Sequence, residues 1–102
     1  FVPIRNVTPC TSRRSYKLDP QAFIEALFRY PGESLLGIAH SHPTASAAPS
    51  AADLQTLWSG DAITHWIVSF RRPEQAELSV YRYLTSNNAQ PHAEHLPVIV
   101  VE

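Results

Sequence analysis

The sequence predicts a single α/β domain built as a layered sheet with flanking helices. Segments with strand-like and helix-like periodicity interleave along the chain, which is the pattern of an α/β layer architecture. At 102 residues the chain is long enough for one hydrophobic core and too short for two. An apolar content of 44% with 17% charged residues suits a folded globular protein and not a disordered one.

The elements follow in order. Phe1 to Val7 is apolar enough for a strand, and Pro3 places it at a sheet edge or a strand start. Asn6 to Arg14, rich in Thr, Pro and Ser, reads as a loop, and Ser15 to Leu18 as a short extended segment. Asp19 is a good N-cap, with Pro20 at the first helical position. Phe23, Ile24, Leu27 and Phe28 then follow at 3-4 spacing, so an amphipathic helix of about three turns is expected. Pro31-Gly32 ends it. Leu35, Leu36, Gly37, Ile38 and Ala39 form an uncharged run that reads as a buried strand entering His40. Small residues from Thr44 to Pro49 make a loop. Ser50 to Trp58 reads as a second helix, with Leu54, Leu57 and Trp58 on one face and Gly60 as its stop. Trp66 to Phe70 is a strand, Arg71 to Gln75 a turn, and the alternating Leu78 to Tyr83 the second arm of a hairpin. Thr85 to His95 is polar and expected to be a mobile loop, and Leu96 to Val101 a last strand. There is no internal repeat.

The stretch with chemical content is His40-Ser41-His42-Pro43, followed by Ser50 and Asp53. In a strand, residues two apart point to one face with Cβ atoms roughly 6–7 Å apart. His40 and His42 therefore reach the same spot. Zinc accepts imidazole nitrogen at about 2.0–2.1 Å, and two histidines so placed can share one ion. Asp53 supplies an oxygen ligand if the loop after Pro43 folds back. A second reading of Asp53 stands beside this one. Ser50-Ala51-Ala52-Asp53 has the S-x-x-D form of a capping box, in which Asp53 reaches back to the Ser50 backbone N–H. The carboxylate is not expected to serve both roles. Ser41 and Pro43 are read as geometry: one faces away from the histidines, the other stiffens the exit from the strand.

The remaining candidates have structural readings. His65 is expected to be half-buried, His92 and His95 to be solvated, and Trp58 and Trp66 to be core. Cys10, the only cysteine, has no partner for an internal disulfide, so a reducing, cytoplasmic setting is the expectation. With net charge −1 and cations scattered in pairs, there is no basic footprint for nucleic acid. No apolar run approaches the roughly 20 residues that span a bilayer, and there is no signal-peptide pattern.

The pattern H-x-H-P-x6-S-x2-D, with the ordered segments IRNVTP, RRSYKLDPQAF, LLGIAHSHP, PSAADL and WIVSF, resembles the JAMM (MPN+) metalloproteases, and the short bacterial members nearly end to end. The resemblance implies a cytidine-deaminase-like layered sheet and a Zn2+ ion held by His40, His42 and Asp53. It also implies a Ser50 hydroxyl that stabilises charge on the scissile carbonyl oxygen. The implied activity is cleavage of peptide or isopeptide bonds at the C-terminus of ubiquitin-like or sulfur-carrier proteins. Such a substrate is a small β-grasp protein whose tail lies along a strand edge. The family also uses a glutamate general base on metal-activated water, well upstream of the first histidine. Glu25 and Glu33 do not sit where the family places it, and the chain begins at Phe1 without any methionine. The expectation is a chain lacking an N-terminal segment that carries the base. The rival reading is a non-catalytic MPN-like scaffold. A purely structural metal site is disfavoured, because three protein ligands leave zinc an open position.

Overall fold

The computed structural model describes residues 1–7, 18–31, 35–54, 63–85, 90–99 and 101. The chain divides into two compact units, Phe1–Leu35 and Leu36–Glu102.

The first unit holds helix α1, Pro20–Arg29. Asp19 caps it as its sequence predicts: its side chain accepts from the backbone N–H groups of Gln21 and Ala22, satisfying donors that have no partner inside the helix. Arg29 lies in the last turn, where a cation suits the helix dipole. Its apolar residues Ile24, Leu27 and Phe28 are exposed, and no residue of α1 is buried. The strand expected over Phe1 to Val7 is not there. Asn6 makes one isolated antiparallel bridge with Leu18, and Asp19 N–H donates to Arg5 O at 3.0 Å. Pro3, which has no N–H to donate to a ladder, suits a segment that makes only this bridge among the described residues. Cys10 and Glu33 lie outside the described residues.

The second unit carries a four-stranded mixed sheet. Its strands are β1 (Gly37–His42), β2 (Thr64–Ser69), β3 (Glu77–Leu84) and β4 (His92–Leu96), in that spatial order. β1 and β2 pair in parallel, and β2–β3 and β3–β4 are antiparallel. A short helix α2, Ala51–Leu54, lies in the crossover between the parallel strands. Its predicted continuation to Trp58, and Gly60, fall outside the described residues.

The register decides which side chains meet, because aligned partners on neighbouring strands share a face. His40 aligns with Ile67, and His42 with Ser69; Ile38, His65, Tyr81 and His95 form a row across the sheet. This face carries the core: Ile67, Tyr81 and Tyr83 pack with Ala47, with Leu54 and Ala93 against them. His65 is fully buried, not half-buried as expected, and stacks on Tyr83 with ring centroids 3.8 Å apart.

Other expectations are corrected as well. Trp66 is 41% exposed rather than core, since it alternates with His65 and Ile67 and so points to the other face. β1 starts at Gly37, not Leu35, and only Ile38 is buried in it, because β1 is an edge strand among the described residues. β4 occupies His92–Leu96, where a polar loop was expected, and the strand expected over Leu96 to Val101 is absent from the described part of that segment. Cross-strand partners make the polar residues tolerable there: His95 stacks on Tyr81, and Glu94 pairs with Arg82.

Candidate metal centre

β1 runs three residues further than its apolar part, so both histidines are strand residues and stand on one face. The segment from Pro43 to Pro49 then turns back, and α2 places Asp53 against them. His40 Nε2 and His42 Nε2 are 3.1 Å apart. Asp53 Oδ2 lies 3.1 Å from His42 Nε2, and Asp53 Oδ1 lies 3.3 Å from His40 Nε2. Asp53 is 3% exposed.

These distances can be compared with what an ion requires. Two ligands each about 2.0–2.1 Å from a tetrahedral zinc stand about 3.3 Å from one another. The three observed separations fit that spacing. The tautomers fit as well. His42 Nδ1 lies 2.8 Å from the Ser46 carbonyl oxygen, which can only accept, so Nδ1 carries the hydrogen. A neutral His42 then presents a lone pair at Nε2, towards a carboxylate oxygen and another ring nitrogen. Lone pairs converging in this way are favourable only around a cation or a proton. The Nδ1–H to carbonyl bond is also the usual outer support of a metal-binding histidine. His40, His42 and Asp53 thus form a group able to hold a metal ion.

Asp53 also closes a capping box. Ser50 N–H donates to Asp53 Oδ2 at 2.9 Å, and Asp53 N–H donates to Ser50 Oγ at 3.1 Å. The expected conflict between capping and ligation does not arise. A carboxylate offers about four lone-pair sites on two oxygens, so Oδ2 takes the Ser50 N–H while the group still faces both histidines. Burial by itself would raise the Asp53 carboxyl. Hydrogen bonds accepted from His40 and from the Ser50 backbone, the charge on His40 and the Ser50 side chain outweigh it, and the carboxyl falls from 3.8 to about 2. Ser50 Oγ accepts in the capping bond, which engages a lone pair and not the hydroxyl proton.

The model of the prokaryotic homologues of the JAB domain matches residues 1–84, which contain every residue of this group. The chain belongs to that family. The JAB-domain assignment agrees with the JAMM/MPN resemblance of the H-x-H-P-x6-S-x2-D pattern and with the small α/β architecture. Comparison with curated proteins finds no match. Of the predicted site residues, the JAB domain brings His40, His42, Ser50 and Asp53 into one hydrogen-bonded cluster. No glutamate joins the metal-binding group among the described residues. The Ser46 carbonyl was not anticipated, and as a backbone group it leaves no side-chain signal in the sequence. No helix among the described residues is long and apolar enough to cross a membrane.

Proposed function

We propose that this JAB domain is a zinc-dependent peptidase or isopeptidase acting at the C-terminal tail of a ubiquitin-like or sulfur-carrier protein. The observation that carries the reading is the convergence of two imidazole nitrogens and one carboxylate at separations of 3.1–3.3 Å. His40, His42 and Asp53 hold the ion, and three protein ligands are the number typical of open, catalytic zinc sites. Once bound, the metal supplies Lewis acidity and lowers the pKa of water to about 7. Ser50 directs its hydroxyl proton at the carbonyl oxygen of the scissile bond and stabilises the charge that develops there. Its place is set by the two bonds that tie it to Asp53. The Ser46 carbonyl keeps His42 in the ligating tautomer. An extended tail pairing along a strand edge is the mode of substrate reading that suits a site on β1, an edge strand among the described residues.

The test has two parts. Elemental analysis of the protein and of His42→Ala should find near-stoichiometric zinc in the first and little in the second. Incubation with a fusion carrying a ubiquitin-like domain and its extended tail should then release the group after the tail, in a chelator-sensitive way. Absence of zinc in both proteins after reconstitution would sink the metal site.

A second reading is favoured by one observation, the lack of a glutamate in the group among the described residues. On that reading the domain binds metal and the same tail without cutting it. Zinc binding and tail affinity without product would select it.

A further inference from the structure

Three neighbouring strands each send one side chain to the loop that follows β1, and the three grip successive carbonyls. Ser69 Oγ on β2 donates to Ala45 O at 2.5 Å. His42 Nδ1 on β1 donates to Ser46 O at 2.8 Å. Tyr81 Oη on β3 donates to Ala47 O at 2.9 Å. The register makes this possible: Ser69 is aligned with His42, and Tyr81 lies on the same face of the sheet.

Both hydroxyls belong to buried residues, Ser69 at 0% and Tyr81 at 9% exposure, where a phenylalanine or alanine would satisfy packing alone. Burying a hydroxyl is costly unless it is paired. Ser69 is engaged twice, since it also accepts from Arg71 N–H at 3.3 Å, which fixes the direction of its own proton. The loop has no helix or strand ladder from Pro43 to Pro49, so its carbonyls depend on such donors. Pinning the carbonyls of Ala45 and Ala47 fixes the peptide planes on either side of the Ser46 carbonyl, the group that holds the His42 ring. The same loop runs directly into Ser50 and Asp53.

We propose that Ser69 and Tyr81 are positioning residues of the metal centre. By clamping the 45–47 backbone they aim His42 Nε2 at the ion and deliver Ser50 and Asp53 to it before the ion arrives. This inference rests on the metal-binding reading of His40, His42 and Asp53. It assigns the site's preorganisation to two hydroxyls on strands that contribute no ligand.

The test uses cobalt(II), whose visible absorption reports ligand geometry. Metal-free protein, Tyr81→Phe, Ser69→Ala and Val80→Ala are titrated with it, and the melting of each metal-free protein is recorded. Val80 is buried on the opposite face of the sheet from Tyr81 and serves as a stability control. Loss of either hydroxyl should weaken cobalt binding about 10–100-fold and change the band shape, as loss of an outer support does. Val80→Ala should lower the melting temperature yet keep the affinity and the spectrum. Unchanged affinity and spectrum in both hydroxyl variants would overturn the inference. So would an affinity that simply follows melting temperature across all three variants. If the unaltered protein binds no cobalt, the metal reading fails and this inference falls with it. That outcome is distinct from the other two, in which the unaltered protein binds.

Discussion

The Asp53 carboxylate sets up a pH dependence that can be worked through. In the folded chain its carboxyl lies at about 2 instead of 3.8, held down against its own burial by the His40 and Ser50 hydrogen bonds and the charge on His40. A group whose folded pKa is depressed binds its proton more weakly in the folded state than in the unfolded one. Its stabilising contribution is therefore complete above the unfolded pKa, near 4, and is lost as pH falls from there to about 2. The size of the drop corresponds to about 2 kcal/mol. The perturbation is Asp53→Asn, which keeps an oxygen for the Ser50 N–H and removes the titration. Urea unfolding of the metal-free protein and of the variant, from pH 6 to pH 2, should show the wild-type advantage shrinking by about 2 kcal/mol between pH 4 and pH 2. Unfolding curves that stay parallel over that window would refute the coupling of Asp53 to His40 and Ser50.

Other outcomes follow from the same geometry. Ser50→Ala removes the acceptor for Asp53 N–H and should cost about 1 kcal/mol of stability, measured by denaturant titration. On the proposed chemistry it should also slow tail cleavage about 10²-fold while zinc content stays near stoichiometric. Gly37→Ala should destabilise the second unit by more than about 1 kcal/mol, because a Cβ there would collide with the side-chain and backbone oxygens of Thr64. A lower melting temperature for the variant checks this. Zinc should raise the melting temperature of the native protein and a chelator should reverse the rise, whereas neither should move His40→Ala.

The chemistry at β1 was legible because it depends on short-range periodicity. His40 and His42 are two apart, and any strand places them on one face, whatever lies around it. The Asp19-Pro20 start of α1 was legible for the same reason, since a cap is a contact between residues two and three apart. β4 was not, because His92, Glu94 and His95 look like loop residues until Arg82 and Tyr81 are placed opposite them. Trp66 misled because size and hydrophobicity suggest burial, while its face is set by the register of β2 against β1 and β3.

Asp53 marks the division between the two levels. Its spacing from Ser50 determined the capping box, because that contact spans three residues along one turn. Its meeting with His40 and His42 spans more than ten residues, and it exists only because the intervening loop is folded back over the sheet. The donor types, their local directions and the family pattern they compose are written in the order of the residues. Only the folded chain brings the capping carboxylate up to both histidines, and sets Ser69 and Tyr81 against the loop that carries the Ser46 carbonyl. Such long-range partners are chosen by register and packing, which no local spacing encodes.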